Sequence, residues 1–269
     1  MADQGPMLQP SEICNAVFSA CEDKAELPFA KMLVLGILAG LYIGFGGLFA
    51  TVALAGADAV PFGLSQVVAG VVFSLGLALV ILAGAELFTG NTLMIGPVAA
   101  GRLPAGRAAR ALAIVYLSNF VGAALLAVIA LLSGLHEAGD GAVGRAAVNL
   151  ADTKTSKSFW TVLASGVLAN MLVCLGVWLA YAGQSVTQKV IGLMLPIAAF
   201  VAAGFEHSIA NMYLLTYAFL VQSTVETAPT LLAASAIGAN LLPATIGNIL
   251  GGALIALSYQ AVYGQPKRG

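Results

Sequence analysis

Four side chains stand out against an apolar chain because each could bind an anion or move a proton: Glu86, Thr89, Glu206 and His207. Each glutamate interrupts a long charge-free run, Glu86 between residues 59–85 and 87–101, Glu206 between residues 190–205 and 207–225. A carboxylate in such surroundings is costly unless it is paired or faces a polar cavity. The interruptions also match. Gly84-Ala-Glu-Leu-Phe-Thr-Gly-Asn91 and Gly204-Phe-Glu-His-Ser-Ile-Ala-Asn211 share the pattern Gly-x-Glu-x4-Asn, which puts Asn91 and Asn211 in equivalent places. Glycine beside the acid in both copies predicts helices that unwind there. Each glutamate is expected to bind backbone N–H groups freed by its own break, supporting the opening rather than carrying the proton.

His207 is the one histidine within the apolar runs, and its repeat mate is Leu87, so the two copies diverge where it stands. A lone histidine is ordinarily a satisfied core residue. Beside a break and a buried glutamate it becomes a group that titrates near neutral pH, able to hydrogen-bond an anion or pass it a proton. Thr89, matched to Ile209, could donate to His207 or to a solute. Its structural alternative is to cap the second half-helix together with Gly90 and Asn91. Phe73, Leu77, Leu87, Phe88, Val173 and Phe200 flank the breaks. They are either plain packing or, where they face a pore, constrictions that exclude hydrated ions, and periodicity alone leaves both open. Ser208 next to His207 is the only hint of a nucleophile, and adjacent helical residues point different ways. The sequence therefore assigns no catalytic residue, no metal site and no cofactor.

The elements that must position these groups are membrane spans. Of 269 residues 60% are hydrophobic and 9% charged, against about 25% charged in an ordinary soluble domain, which excludes a water-soluble globule. A net charge of -1 excludes a nucleic-acid surface, and three cysteines without motif spacing are expected to be free thiols. Charge-free runs at 32–57, 59–101 (broken at Glu86), 111–135, 158–188, 190–225 (broken at Glu206) and 227–266 give six spans, each meeting the roughly 20 residues a bilayer requires. Residues 1–27 are too polar for a cleavable signal and read as a cytoplasmic amphipathic helix; 28–264 form the six-span channel domain and 265–269 a cytoplasmic tail. With the N-terminus inside, Lys24, Lys31, Arg102, Arg107, Arg110, Lys189, Lys267 and Arg268 are cytoplasmic, leaving Arg145, Lys154 and Lys157 outside. Both termini are thus expected in the cytoplasm.

Two further segments repeat in the same order: Gly36-Ile-Leu-Ala-Gly40 with Gly166-Val-Leu-Ala-Asn170, and Asn119-Phe-Val-Gly-Ala-Ala-Leu125 with Asn248-Ile-Leu-Gly-Gly-Ala-Leu254. The repeats run over about residues 28–133 and 158–263. Three spans per copy is an odd number, so the second copy enters from the opposite side. The fold class is therefore all-α integral membrane, a six-helix bundle with an inverted 3+3 repeat and two broken helices, whose solute path lies where the repeats meet. An aquaporin-type water pore would carry two Asn-Pro-Ala caps, whereas here the corresponding segments read Asn91-Thr and Asn211-Met.

Ile81-Leu-Ala-Gly-Ala-Glu-Leu-Phe-Thr-Gly90 and Gly166-Val-Leu-Ala-Asn-Met-Leu-Val-Cys-Leu-Gly176 resemble the two signature segments of the formate/nitrite transporter family, with Gly176 in place of the usual alanine. The resemblance covers roughly residues 10–263 and leans to the formate-channel branch through Pro61-Phe-Gly63, Phe205-Glu-His-Ser-Ile-Ala-Asn-Met212 and Pro243-Ala-Thr-Ile-Gly-Asn-Ile249. It implies an aquaporin-like protomer assembled as a homopentamer in the bacterial cytoplasmic membrane, one pore per protomer, carrying formate or alternatively nitrite, acetate or hydrosulfide. By position it implies an outer constriction of Phe73, Leu77 and Phe200 and an inner one of Leu87, Phe88 and Val173. Thr89 would sit on the loop that interrupts span two, with His207 between the constrictions. Lys154 would attract anions at the external mouth, and Asn170 would line the pore near that mouth.

Overall fold

The computed structural model describes residues 7–225 and 232–264, so the tail at 265–269 and the first six residues lie outside the described residues. An amphipathic helix α1 (Pro10–Ala25) comes first, burying Ile13, Cys14, Val17, Phe18 and Cys21 along one stripe. Its partner groups lie under the bundle: Arg102 reaches Glu22 at 2.6 Å, and Arg107 reaches Glu26 at 2.7 Å. Burial pushes the Cys21 thiol up to about 12, so it stays protonated and inert at neutral pH.

Span one is α2 (Phe29–Leu54). Span two starts as α3 (Phe62–Ala83), breaks, and resumes as α4 (Phe88–Asn91), a 3-10 turn (Thr92–Met94) and α5 (Ile95–Ala99). Span three is α6 (Ala105–Leu132), and a second amphipathic helix α7 (Ala142–Thr155) follows. Span four is α8 (Phe159–Ala182); span five is α9 (Val186–Ala202), broken before α10 (Ser208–Val221); span six is α11 (Ala234–Tyr263). The 17 residues of α9 rise only about 25 Å, less than a bilayer core of about 30 Å, so α9 and α10 must cross together.

The packing repeats as the sequence does. Helix α2 lies on α3 and α6, and α8 lies on α9 and α11 in the same relation. Gly122 meets the Ile37 carbonyl where its mate Gly251 meets that of Val167, so neither position has room for a β-carbon. The repeat also reaches further back than residues 28 and 158. Helix α1 packs on span four, span three and the second half of span two, while α7 packs on span one, span six and the second half of span five. Each repeat therefore begins with its own amphipathic helix.

Candidate functional site

Both breaks are made the same way. Gly84 (φ 77°) and Gly204 (φ 66°) take the left-handed conformation that terminates the first half-helix, and an extended stretch follows at residues 85–87 and 205–207. Three residues of unwound backbone inside a bilayer expose N–H and C=O groups that water cannot serve. Two asparagines serve them. Asn119 Nδ2 donates to the carbonyls of Gly36 (2.8 Å) and Glu86 (2.9 Å), and its Oδ1 accepts from Phe88 N–H (3.0 Å). Asn248 repeats this with Gly166 (2.8 Å), Glu206 (2.9 Å) and Ser208 N–H (2.8 Å). Sequence comparison aligned these two residues as the start of its third matched segment but gave them no role. Since each removal would leave a carbonyl and an N–H of the break unpaired, Asn248→Leu is expected to lower thermal stability by about 3 kcal/mol, and Asn119→Leu similarly. Thermal unfolding of the purified protein in detergent checks this.

The glutamates do something other than expected. Neither carboxylate binds the N–H groups of its break: those of Phe88 and Ser208 go to the asparagine amide oxygens, that of Glu86 to the Leu35 carbonyl and that of Glu206 to Ser165 Oγ. Glu86 instead takes Asn91 Nδ2 (2.7 Å) and Lys24 Nζ (3.1 Å), the ammonium also touching Asn91 Oδ1 at 3.3 Å. Glu206 takes Asn211 Nδ2 (2.6 Å), Lys154 Nζ (3.1 Å) and Lys157 Nζ (2.6 Å). Lys24 comes from α1 and Lys154 from α7, and the two are offset by the same distance as the first repeat segment. Lys154 is buried: its side chain is 9% exposed and engaged with Glu206. The first break has one lysine on its glutamate; the second has two. Lys157, missed as a functional residue, supplies that difference.

The breaks meet at His207 and Thr89, whose Nε2 and Oγ1 are 2.9 Å apart in a fully buried setting. His207 Nδ1 accepts from Ala210 N–H at 3.0 Å, so the ring also caps α10. That bond fixes the tautomer. With Nδ1 an acceptor, the proton of the neutral ring sits on Nε2, which donates to Thr89 Oγ1. The direction is the reverse of a threonine donating to histidine. Thr89 does not cap its half-helix, since Asn119 already covers Phe88 N–H. With both ring nitrogens engaged, no base is bonded to Ser208, which removes the nucleophile hint.

Phe73 and Phe200 stack edge to face at 5.5 Å, and the Phe200 ring lies on His207 at 5.6 Å. Leu77, expected beside them, lines a cavity of about 40 Å³ on the α1 side with Leu87, Val80, Val177, Tyr181 and Lys24. Phe88 sets its ring edge-on against Tyr116 of α6 at 4.8 Å. Neither Phe88 nor Val173 lines that cavity, although both are buried. Asn170 lies inside the repeat interface rather than near a mouth: its Nδ2 contacts the Asn248 carbonyl (2.6 Å), Thr92 Oγ1 (3.0 Å) and the Thr89 carbonyl (3.2 Å). Its Oδ1 has no hydrogen-bond partner among the described residues.

Six apolar crossings, two of them broken beside a buried carboxylate paired with lysine, and a buried Thr89–His207 contact are the features of a membrane transport protein. Residues 11–261 match the model of the formate/nitrite transporter family, and the chain belongs to that family. It is 37% identical over 270 residues to the formate channel FocA of Escherichia coli (strain K12), covering 96% of this chain and 95% of the relative. It is 36% identical over 260 residues to FocA of Haemophilus influenzae, covering 92% and 91%. A solved structure described as a pentameric formate channel with formate bound superposes with a TM-score of 0.82 at 34% identity, covering 88% of this chain and 98% of that one.

Proposed function

We propose that this protein is a channel for small weak-acid anions, formate first among them, acting as a homopentamer with one pore per protomer in the bacterial cytoplasmic membrane. The carrying observation is the buried Thr89–His207 contact at 2.9 Å, with the Phe200 ring on the imidazole; in this reading Phe73, Leu77 and Phe200 form the outer apolar constriction and Leu87, Phe88 and Val173 the inner one. A bare carboxylate loses far more solvation in an apolar constriction than its neutral acid does. The excess positive charge around Lys154 and Lys157 raises the local anion concentration. The anion then meets the Thr89 hydroxyl and the adjacent imidazole, which supply strong hydrogen bonding or, where the ring has first taken up a proton from the entry side to become the imidazolium, that proton. Loss of that proton on the far side completes passage, so the flux is passive or proton-linked and no covalent step occurs.

The relatives named as formate channels and the formate-bound neighbour support the choice of solute. Lys and Arg content of the loops supports cytoplasmic termini, with α1 and the Lys24–Glu86 pair at the inner mouth and α7 at the outer. Radiolabelled formate uptake into proteoliposomes over a pH series tests the reading, with nitrite, acetate and hydrosulfide as competitors. Saturable or conductive formate flux that changes with pH is expected. Absent formate flux with rapid entry of nitrite or hydrosulfide would keep the family and overturn the solute.

A further inference from the structure

The half-helix that presents Thr89 is too short to hold itself. Helix α4 has 4 residues and passes into a 3-10 turn at Thr92, well below the length at which helical propensity sustains a helix unaided. Its order must come from tertiary contacts, and these converge on one atom. The Thr89 carbonyl faces three donors: Thr92 Oγ1 at 2.6 Å, Asn170 Nδ2 at 3.2 Å and Cys174 Sγ at 3.8 Å. The donors also touch one another, with Asn170 Nδ2 3.0 Å and Cys174 Sγ 3.7 Å from Thr92 Oγ1. All four residues have no exposed surface. On α11, Gly252 leaves the space they fill, since a β-carbon there would collide with Thr92 Oγ1 and stand 2.9 Å from Asn170 Nδ2.

Nothing equivalent exists in the other repeat. The positions matched to Asn170, Cys174 and Thr92 are Gly40, Gly44 and Met212. Gly40 lies against the Asn119 carbonyl, and Gly44 lies against Leu126 and the Tyr213 ring. The polar cluster is confined to the half that carries Thr89, as His207 is confined to the other.

We propose that Thr92 and Cys174 are positioning residues of the pore: with Asn170 they clamp the Thr89 carbonyl and so hold the Thr89 hydroxyl where the His207 ring reaches it. The proposal rests on the reading of Thr89 and His207 as the polar station. Fixing the carbonyl fixes the backbone dihedrals of Thr89, and a β-branched side chain then has few rotamers left. Thr92 is the stronger donor, because a hydroxyl at 2.6 Å outweighs a thiol at 3.8 Å.

The test is formate flux into proteoliposomes across a pH series for Thr92→Val, Thr92→Ser, Cys174→Ala and Cys174→Ser, with His207→Asn run beside them. Thr92→Val keeps the shape and loses the donor; flux is expected to fall about tenfold and the pH profile to move toward that of His207→Asn. Thr92→Ser keeps the donor and loses the methyl, so most of the flux returns. A packing role would order these two variants the other way. Cys174→Ala is expected to lose about threefold and Cys174→Ser to stay near the parent. Parent-like flux and pH profile in Thr92→Val, with His207→Asn altered, would overturn the clamp and spare the pore reading. Parent-like behaviour in both would overturn the two together. Should Thr92→Val fail to assemble by size exclusion, the Cys174 pair decides by the same criterion.

Discussion

Replacing His207 with asparagine is expected to cut formate flux at least tenfold and to flatten its dependence on pH, because the amide can neither take up nor release a proton. The substitution is chosen for what it keeps. Asparagine is as good a helix N-cap as the ring, so Ala210 N–H retains an acceptor and α10 retains its start. It loses the titrating group, the Nε2 donor to Thr89 and the stacking on Phe200. His207→Phe would keep the stacking but expose the Ala210 N–H, at a cost of about 1 kcal/mol of stability. If flux fell in His207→Phe and not in His207→Asn, capping rather than proton chemistry would be the function of this residue. A parent-like pH profile in His207→Asn would remove the proton-linked mechanism altogether.

Much of this arrangement was legible in the sequence because it is written in residues that an apolar chain otherwise avoids. Glu86, Glu206, Asn91 and Asn211 identify both breaks by type and spacing, and the odd number of spans per repeat makes the second copy inverted. The contact between Thr89 and His207 could be suspected because both depart from repeat symmetry at neighbouring places. What stayed hidden is which polar partner each group chooses. Asn119 and Asn248 look like helix-face asparagines in glycine-rich spans, and only the packing of α6 on α2 and of α11 on α8 brings them to the breaks. With their amides serving the backbone, the carboxylates are left for lysines far away in the sequence.

Lys24 shows the same difficulty from the other side. It stands in a polar segment that reads as a solvated amphipathic face, outside the apolar spans in which the repeat is visible, so nothing in the sequence marks its match to Lys154. Helices α1 and α7 share the register of their buried stripe, Ile13, Cys14, Val17, Phe18 and Cys21 matching Val143, Gly144, Ala147, Val148 and Ala151, but the residue types differ at every one of these positions. The stripe only has to be small or apolar, whereas the cation in reach of the buried carboxylate has to be a lysine in both copies. Identity at a single position is a weak signal in the sequence.

The two ends of the pore should differ when that constraint is removed. Glu206→Ala strands Lys154, 9% exposed, without a counter-charge, and is expected to destabilise the protein by about 3–5 kcal/mol, as breaking one side of a buried pair does. Lys157 is 24% exposed and can turn toward water, which limits the loss to one stranded ammonium. Glu86→Ala should cost about 1 kcal/mol from its ion pair, because Lys24 is 30% exposed and can be rehydrated. Thermal unfolding in detergent reads both. Removing the stranded charge as well, in Glu206→Ala with Lys154→Met, should restore part of the loss, since a buried pair replaced by neutral groups is often tolerated. Equal losses for Glu86→Ala and Glu206→Ala, or no recovery in the double variant, would mean that the carboxylates act through packing and not through charge. If the order holds, Lys154 at the end of α7 and Lys157 just after it are a fixed positive site whose charge depends on Glu206 for its position, and anion flux should fall in Glu206→Ala even though the net charge there rises.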